Sequence, residues 1–252
     1  MKKYTTTRGE KTIQSAIPPC SPPYLLLFYL PYTITISAVT HAFDVQVSKE
    51  HYLGKYDDIR RFISYFYQID LVRKLHPETV LEIGIGNKTV ANYLKQNGIT
   101  IDTCDFDQNL NPDYTADIRD LPFADASYDV VMACEILEHL PFEDVEKALR
   151  ELQRVSKKYV LVSIPYASGG FELLLKFPLL NKIIKRPFLD LFFRVPYFFM
   201  GIEFAGQHYW EMGRKNYPRR KIQSTFGKYF TILKEVRPVL DHYHHFFLLE
   251  KR

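Results

Sequence analysis

The stretch from Thr79 to Asp105 limits the fold of this chain more than any other. Thr79-Val80-Leu81-Glu82-Ile83-Gly84 is a short, β-branched, apolar run of the kind that fills a buried parallel strand. It enters Gly84-Ile85-Gly86-Asn87 and opens into a helical pattern from Thr89 to Asn97, stopped by Gly98. Ile99 to Asp105 then alternates like a second strand and ends in an acid. Strand, glycine turn, helix, strand and acid, with the acid about 20 residues past the glycines, predict a β-α-β nucleotide unit. The glycines let backbone turn sharply beside a ligand, and a carboxylate at the second strand's tip can accept hydrogen bonds from both ribose hydroxyls.

Glu82 narrows the ligand. A dinucleotide fingerprint carries a third glycine and cradles a pyrophosphate, whereas here the run is Gly84-x-Gly86-x-x-Thr89. A carboxylate two residues before the first glycine repels a pyrophosphate and suits a cation. S-adenosylmethionine (SAM) carries a sulfonium and an α-ammonium and no phosphate. An NAD-linked oxidoreductase is therefore the weaker reading of this unit.

Further along, Ala116-Asp117-Ile118-Arg119-Asp120-Leu121-Pro122-Phe123 and Ser127-Tyr128-Asp129-Val130-Val131-Met132-Ala133-Cys134-Glu135-Ile136-Leu137-Glu138-His139-Leu140 complete a pattern. With Glu82-Ile83-Gly84-Ile85-Gly86-Asn87, these segments resemble the class I SAM-dependent methyltransferases, in particular the type 11 group. The resemblance is strong from about Glu78 to Pro165 and weaker to the C-terminus. It implies an α/β, Rossmann-like, seven-stranded, mostly parallel sheet with an antiparallel last strand, helices on both faces and an inserted lid. It implies SAM as cofactor and S-adenosylhomocysteine (SAH) as product. It implies cofactor contacts at Glu82, Gly84, Gly86 and Asn87, at Asp105 for the ribose, and at Phe106. Asp117 and Ile118 would read the adenine, and Cys134, at the end of the fourth strand, would line the methionine part. Phe230–Val236 and His245–Glu250 read as the closing strand pair. Where the family commonly has another glycine stands Lys88, so the backbone there is expected to do without the left-handed conformation, or the helix to start differently.

Residues 1–45 read as a leader outside the fold, with residues 46–252 as the methyltransferase domain and 46–76 packing as a leading helix. The leader holds Lys2, Lys3, Arg8 and Lys11, then Pro18, Pro19, Pro22 and Pro23, then an uncharged stretch from Leu25 to Val39 interrupted by Pro31. A cleaved signal wants a compact basic start and an unbroken apolar core. A loosely attached leader, an interfacial anchor, or a start near Val47 from a non-ATG codon are the other readings. Ser21-Pro22-Pro23-Tyr24 imitates the loop with which amino-methyltransferases hold a planar nitrogen acceptor, but it follows no strand. The turn after the fourth strand lacks that loop, which argues against an adenine-like acceptor.

The net charge of +4 does not imply a nucleic-acid partner. Three scattered cysteines, Cys20, Cys104 and Cys134, argue against a disulfide framework and for a reducing, cytoplasmic setting. No residue is assigned to a metal.

Residues 166–226 are expected to form the lid over the acceptor. They hold ten Lys/Arg against four Asp/Glu, and 14 of the chain's 38 aromatics. Phe171 to Phe177, Ile183 to Arg186 and Leu189 to Met200 have an amphipathic flavour. They suit a membrane interface or a lipid-linked acceptor; the plainer reading is a lid whose apolar face packs on the core. His208, in Gly206-Gln207-His208-Tyr209-Trp210-Glu211, stands where many relatives carry a histidine over the cleft. It is the first candidate for acid–base work, with Glu211 to orient it, and His139 is the second. The sequence thus reads as a SAM-dependent methyltransferase for a small or lipid-linked acceptor, with a non-catalytic binding or scaffold protein of the same fold as the alternative.

Overall fold

A computed structural model describes residues 49–52, 56–177, 187–202, 204 and 207–252 of the protein. The leader and its Ser-Pro-Pro-Tyr segment lie outside the described residues, and every element below belongs to the unit Phe43–Arg252. After a short 3-10 turn at Lys49–Tyr52 comes α1 (Ile59–Arg73), the leading helix expected here, begun where Asp58 accepts the Arg61 backbone N–H at 2.9 Å. Then follow β1 (Thr79–Ile83), α2 (Thr89–Gln96), β2 (Thr100–Asp105), β3 (Tyr114–Thr115), β4 (Tyr128–Cys134), α3 (Val145–Val155) and β5 (Ser156–Pro165). A hairpin of β6 (Ser168–Leu175) and β7 (Leu189–Pro196) precedes α4 (Arg219–Phe226), β8 (Phe230–Val236) and β9 (His244–Lys251).

Seven strands form one sheet in the order β3-β2-β1-β4-β5-β9-β8, and β9 runs antiparallel to both its neighbours. The strands are apolar on both faces because helices cover both. Leu81, Ile83, Val131, Ala133, Val160 and Val162 face the side of α3 and α4, packing with Leu149, Leu152, Ile222 and Phe226. Their neighbours Val80, Val130, Met132 and Leu161 face the other side, with Val72 of α1 and Val90 and Leu94 of α2. In α3 the buried Val145, Ala148, Leu149, Leu152 and Val155 recur at helical spacing, so each turn seats one knob on the sheet. Truncating Leu149 to alanine costs about 2–5 kcal/mol at such a site.

The chain leaves β1 toward β2 and β3 and then returns to lay β4 on the opposite side of β1. A crevice opens beyond the carboxyl ends of strands at such a switch point, and a ligand site is expected there.

The inserted segment differs from an amphipathic-helix lid. Its described part is a two-stranded sheet with Phe171 opposite Phe193, Leu173 opposite Leu191 and Leu175 opposite Leu189. In β7, Leu-Asp-Leu-Phe-Phe-Arg-Val-Pro alternates exposed and half-buried along its whole length, a period of two. The apolar face does not pack on the core: Phe171, Leu173, Leu191, Phe193 and Val195 are exposed. The opposite face is tied down. Arg237 pairs with Glu172 at 2.6 Å and with Asp190, and Arg194 lies over the Tyr166 ring at 3.8 Å. Among the described residues no helix is long and apolar enough to cross a membrane.

Candidate active site

The carboxyl ends of β1, β2 and β4 and the face of α1 enclose a cavity of about 290 Å³. Six of the nine residues expected at the cofactor line it: Glu82, Gly84, Gly86, Asn87, Asp105 and Cys134. Gly84 stands at φ +79°, and a Cβ there would lie 1.9 Å from Ile136 Cδ1, so only glycine fits between the two strand ends. The Gly84 N–H donates to the Cys104 carbonyl at 2.9 Å, holding the turn against the end of β2.

Lys88 corrects an expectation. It adopts the left-handed conformation itself, at φ 64° and ψ 15°, as the residue before α2. The cost for a residue with a Cβ is about 1–2 kcal/mol, and Lys88 Nζ donates to the Asn111 carbonyl across the turn. Asn87 Oδ1 accepts the Thr89 N–H at 3.1 Å, taking up one of the helix's first donors. The glycine turn is thus complete without its third glycine.

Glu82 is buried on the cavity floor, and its Oε2 has no hydrogen-bond partner among the described residues. Burial first, and then the nearby Asp105, push its carboxyl up to about 8. Asp105 accepts the Ile85 N–H through Oδ2 and the Asp107 N–H through Oδ1, both at 2.9 Å. Burial raises its carboxyl despite those bonds. A cationic ligand meets both carboxylates here; a pyrophosphate meets repulsion. These residues fit SAM: a glycine cradle that a Cβ would fill, and a buried acid without a partner.

Phe106, Asp117 and Ile118 do not line the cavity. The Asp117 carboxylate is held by Arg119 Nε at 2.9 and 3.1 Å, and Arg119 also reaches Asp144 at 2.7 Å. Ile118 is packed in the core, and Phe106 is exposed.

At the far end of the cavity stand both candidate catalytic residues, their rings 5.0 Å apart and edge to face. One backbone and one side-chain bond bring them together: the Tyr209 N–H donates to the Glu138 carbonyl at 2.9 Å, and the Trp210 indole Nε1 donates to the Leu140 carbonyl at 3.1 Å. His208 Nδ1 lies 3.0 Å from Glu211 Oε1, the orienting contact expected from their spacing. Burial alone would raise the Glu211 carboxyl, but hydrogen bonds from His208, Arg214 and Tyr243 outweigh it and hold it at about 2. His139 is pushed down to about 4, by burial first and then by His208. Glu138 is fully buried, and neither carboxylate oxygen has a hydrogen-bond partner among the described residues.

Several lining residues were not read from the sequence: Tyr52, Tyr56, Arg61, Tyr65, Gln68, Glu135, Glu138 and Tyr243. Arg61, Tyr65 and Gln68 recur at i, i+4 and i+7, one face of α1. A polar and aromatic stripe among apolar helix neighbours was the available signal.

Residues 81–163 match a protein-family model described as a methyltransferase domain, a span that covers the glycine turn, β2, β4 and the turn bearing Glu138. No curated protein matches the chain. Among solved structures, the PH0226 protein from Pyrococcus horikoshii OT3 is 12% identical with a TM-score of 0.51, over 82% of this chain and 100% of that one. A SAM-dependent methyltransferase from Clostridium acetobutylicum ATCC 824 is 9% identical with a TM-score of 0.50, over 77% of this chain and 92% of that one. The small RNA methyltransferase HEN1 is 13% identical with a TM-score of 0.50, over 76% of this chain and 25% of that one. At such identities the likeness is one of fold.

Proposed function

We propose that this chain, a class I methyltransferase by its domain and its sheet, binds SAM in the β1–β2–β4 cavity and methylates a small or lipid-linked acceptor. The observation that carries the proposal is Glu82, a buried carboxylate with an unpartnered oxygen beside a glycine cradle. When bound, SAM supplies an already activated methyl group. The chain's own residues then have to bind, align and exclude water. Glu82 and the Gly84–Gly86 turn hold the cationic end, and Asp105 holds the ribose. Asp117 and Ile118 serve the adenine only if Arg119 yields the Asp117 carboxylate. His208, oriented by Glu211, stands at the acceptor end with His139, where its Nε2 can take a proton from an acceptor hydroxyl.

The lipid-linked acceptor is favoured by the hairpin. Its exposed Phe171, Leu173, Leu191, Phe193 and Val195 make a contiguous apolar face, and Phe198 and Phe199 after β7 are exposed as well. Isolated exposed apolar residues are ordinary, but a contiguous patch marks a contact surface. Peripheral attachment to a membrane, with the cavity served from the lipid, is the arrangement this supports.

Two titrations and one turnover assay test the reading. SAM is expected to bind and NADH not to. Radiolabelled methyl is expected to pass from SAM into a lipid-extract fraction, and an Asp105→Ala variant is expected to lose that transfer. Binding without transfer to any lipid or small-molecule fraction would favour the scaffold alternative.

A further inference from the structure

The far wall of the cavity is unusual in a way that methyl transfer does not require. Glu138, His139 and His208 each place one ligand-type atom within 4.8 Å of the other two. Burying a carboxylate without hydrogen bonds costs several kcal/mol, yet neither oxygen of the fully buried Glu138 has such a partner among the described residues. Glu135 and Glu211 add negative charge nearby, and both raise the Glu138 carboxyl further after burial has done so. Arg61, which lines the same cavity, offsets only part of this charge, and the wall can take a further cation.

The two imidazoles are set for the same ligand. His139 Nδ1 lies 3.0 Å from the Gln207 carbonyl, which can only accept, so Nδ1 carries the proton and Nε2 the lone pair. His208 Nδ1 lies 3.0 Å from the ionised Glu211, which likewise only accepts, and again the lone pair falls to Nε2. A carbonyl on one histidine and a carboxylate on the other are the outer contacts that fix metal-binding histidines in their tautomer. Both rings belong to short, backbone-stitched segments rather than to free loops. The Tyr209 N–H bond to the Glu138 carbonyl holds their spacing.

We propose that Glu138, His139 and His208 bind one divalent transition-metal ion on the wall of the cavity. Two imidazoles and one carboxylate suit manganese, iron, cobalt or zinc, and suit magnesium and calcium poorly. Three protein ligands leave positions open to the cavity, where oxygen ligands complete the shell. With the ion bound, the His208 Nε2 lone pair is occupied, and His208 holds the ion instead of taking a proton. The site stands on these three residues and does not depend on SAM.

The test uses full-length protein stripped with a chelator and titrated with Mn²⁺ and, separately, Zn²⁺. About one ion per chain is expected. Glu138→Gln and His208→Ala are each expected to weaken binding by more than about 100-fold, and Glu211→Gln, through the outer contact, by about tenfold. His76→Asn, an exposed histidine at the end of α1, is expected to bind as the unaltered protein does. Pulsed electron paramagnetic resonance of bound Mn²⁺ keeps the proposal testable if a variant fails to fold: nitrogen couplings from two imidazoles are expected. No binding of either ion at millimolar concentration, a bound ion without nitrogen coupling, or unchanged affinity in both ligand variants overturns it. SAH binding measured in parallel separates this proposal from the cofactor one. Its loss with the metal retained removes SAM and leaves the metal site standing.

Discussion

The strand-end cavity and the β6–β7 hairpin invert the usual distribution of side chains in opposite senses. The cavity buries charge, with Glu82 at 5% and Glu138 at 0% exposure, while the hairpin shows aromatics to solvent, with Phe171 at 66% and Phe193 at 69%. Buried unpaired acids and contiguous exposed rings both cost the isolated chain stability, so each marks a surface shaped for something outside the chain. The ligand proposed for the cavity is cationic, and the surface proposed for the hairpin is apolar. The hairpin is held to the rest of the domain by Arg237, whose guanidinium joins Glu172 and Asp190 to the segment after β8. The comparison makes a firm demand: damage to one region should leave the other's ligand alone.

The largest effect belongs to Gly84→Ala. The added Cβ meets Ile136 and the left-handed φ is strained as well, so a loss of about 3–5 kcal/mol is expected, with cofactor binding lost. Chemical denaturation and calorimetry check it. Vesicle binding should survive in whatever fraction stays folded, and its loss there would break the separation of the two regions.

Next comes the hairpin. Replacing Phe171 and Phe193 together by serine is expected to weaken sedimentation with anionic lipid vesicles about tenfold to a hundredfold. Stability should change by no more than about 0.5 kcal/mol, since neither ring is buried. SAH affinity should be unchanged.

A third test sharpens the electrostatic side. With its carboxyl raised to about 8, Glu82 is protonated in the ligand-free protein at neutral pH. A bound cation favours the carboxylate, so binding releases a proton and affinity climbs as pH rises toward about 8, by at most about tenfold per pH unit. Above that pH the slope flattens. Because the folded value lies above the ordinary one, the same group makes the ligand-free fold lose stability as pH rises through this window. Glu82→Gln should abolish both slopes, which calorimetry in buffers of different ionisation enthalpy reads directly.

The smallest effect is Lys88→Gly. Relief of the left-handed strain should add about 1 kcal/mol, or about 2–4 °C in Tm, less whatever the Lys88–Asn111 contact contributes.

The same contrast explains what the sequence revealed. The strand and glycine positions were legible because their demands are local: Gly84 turns the chain at a left-handed φ, and buried strands must be continuously apolar. β9 was legible as a strand from its own apolar run, and its antiparallel direction followed only from the family resemblance. The hairpin was not, because Phe-Glu-Leu-Leu-Leu-Lys-Phe and Leu-Asp-Leu-Phe-Phe-Arg-Val satisfy helical and strand periods almost equally over seven residues. Asp117 was readable as a loop acid, but not as one engaged by Arg119 two residues on and outside the cavity lining. Glu138 carried no assigned role in the sequence. Its importance comes from His208, about 70 positions away, and from a burial that only the packed turn after β4 creates.

The most direct measurement is the calorimetric titration of SAH into the purified protein and into its Asp105→Ala variant. Micromolar binding to the first and none to the second is the predicted result. Equal binding to both, or none to either at millimolar SAH, would contradict the assignment of the β1–β2–β4 cavity to the cofactor.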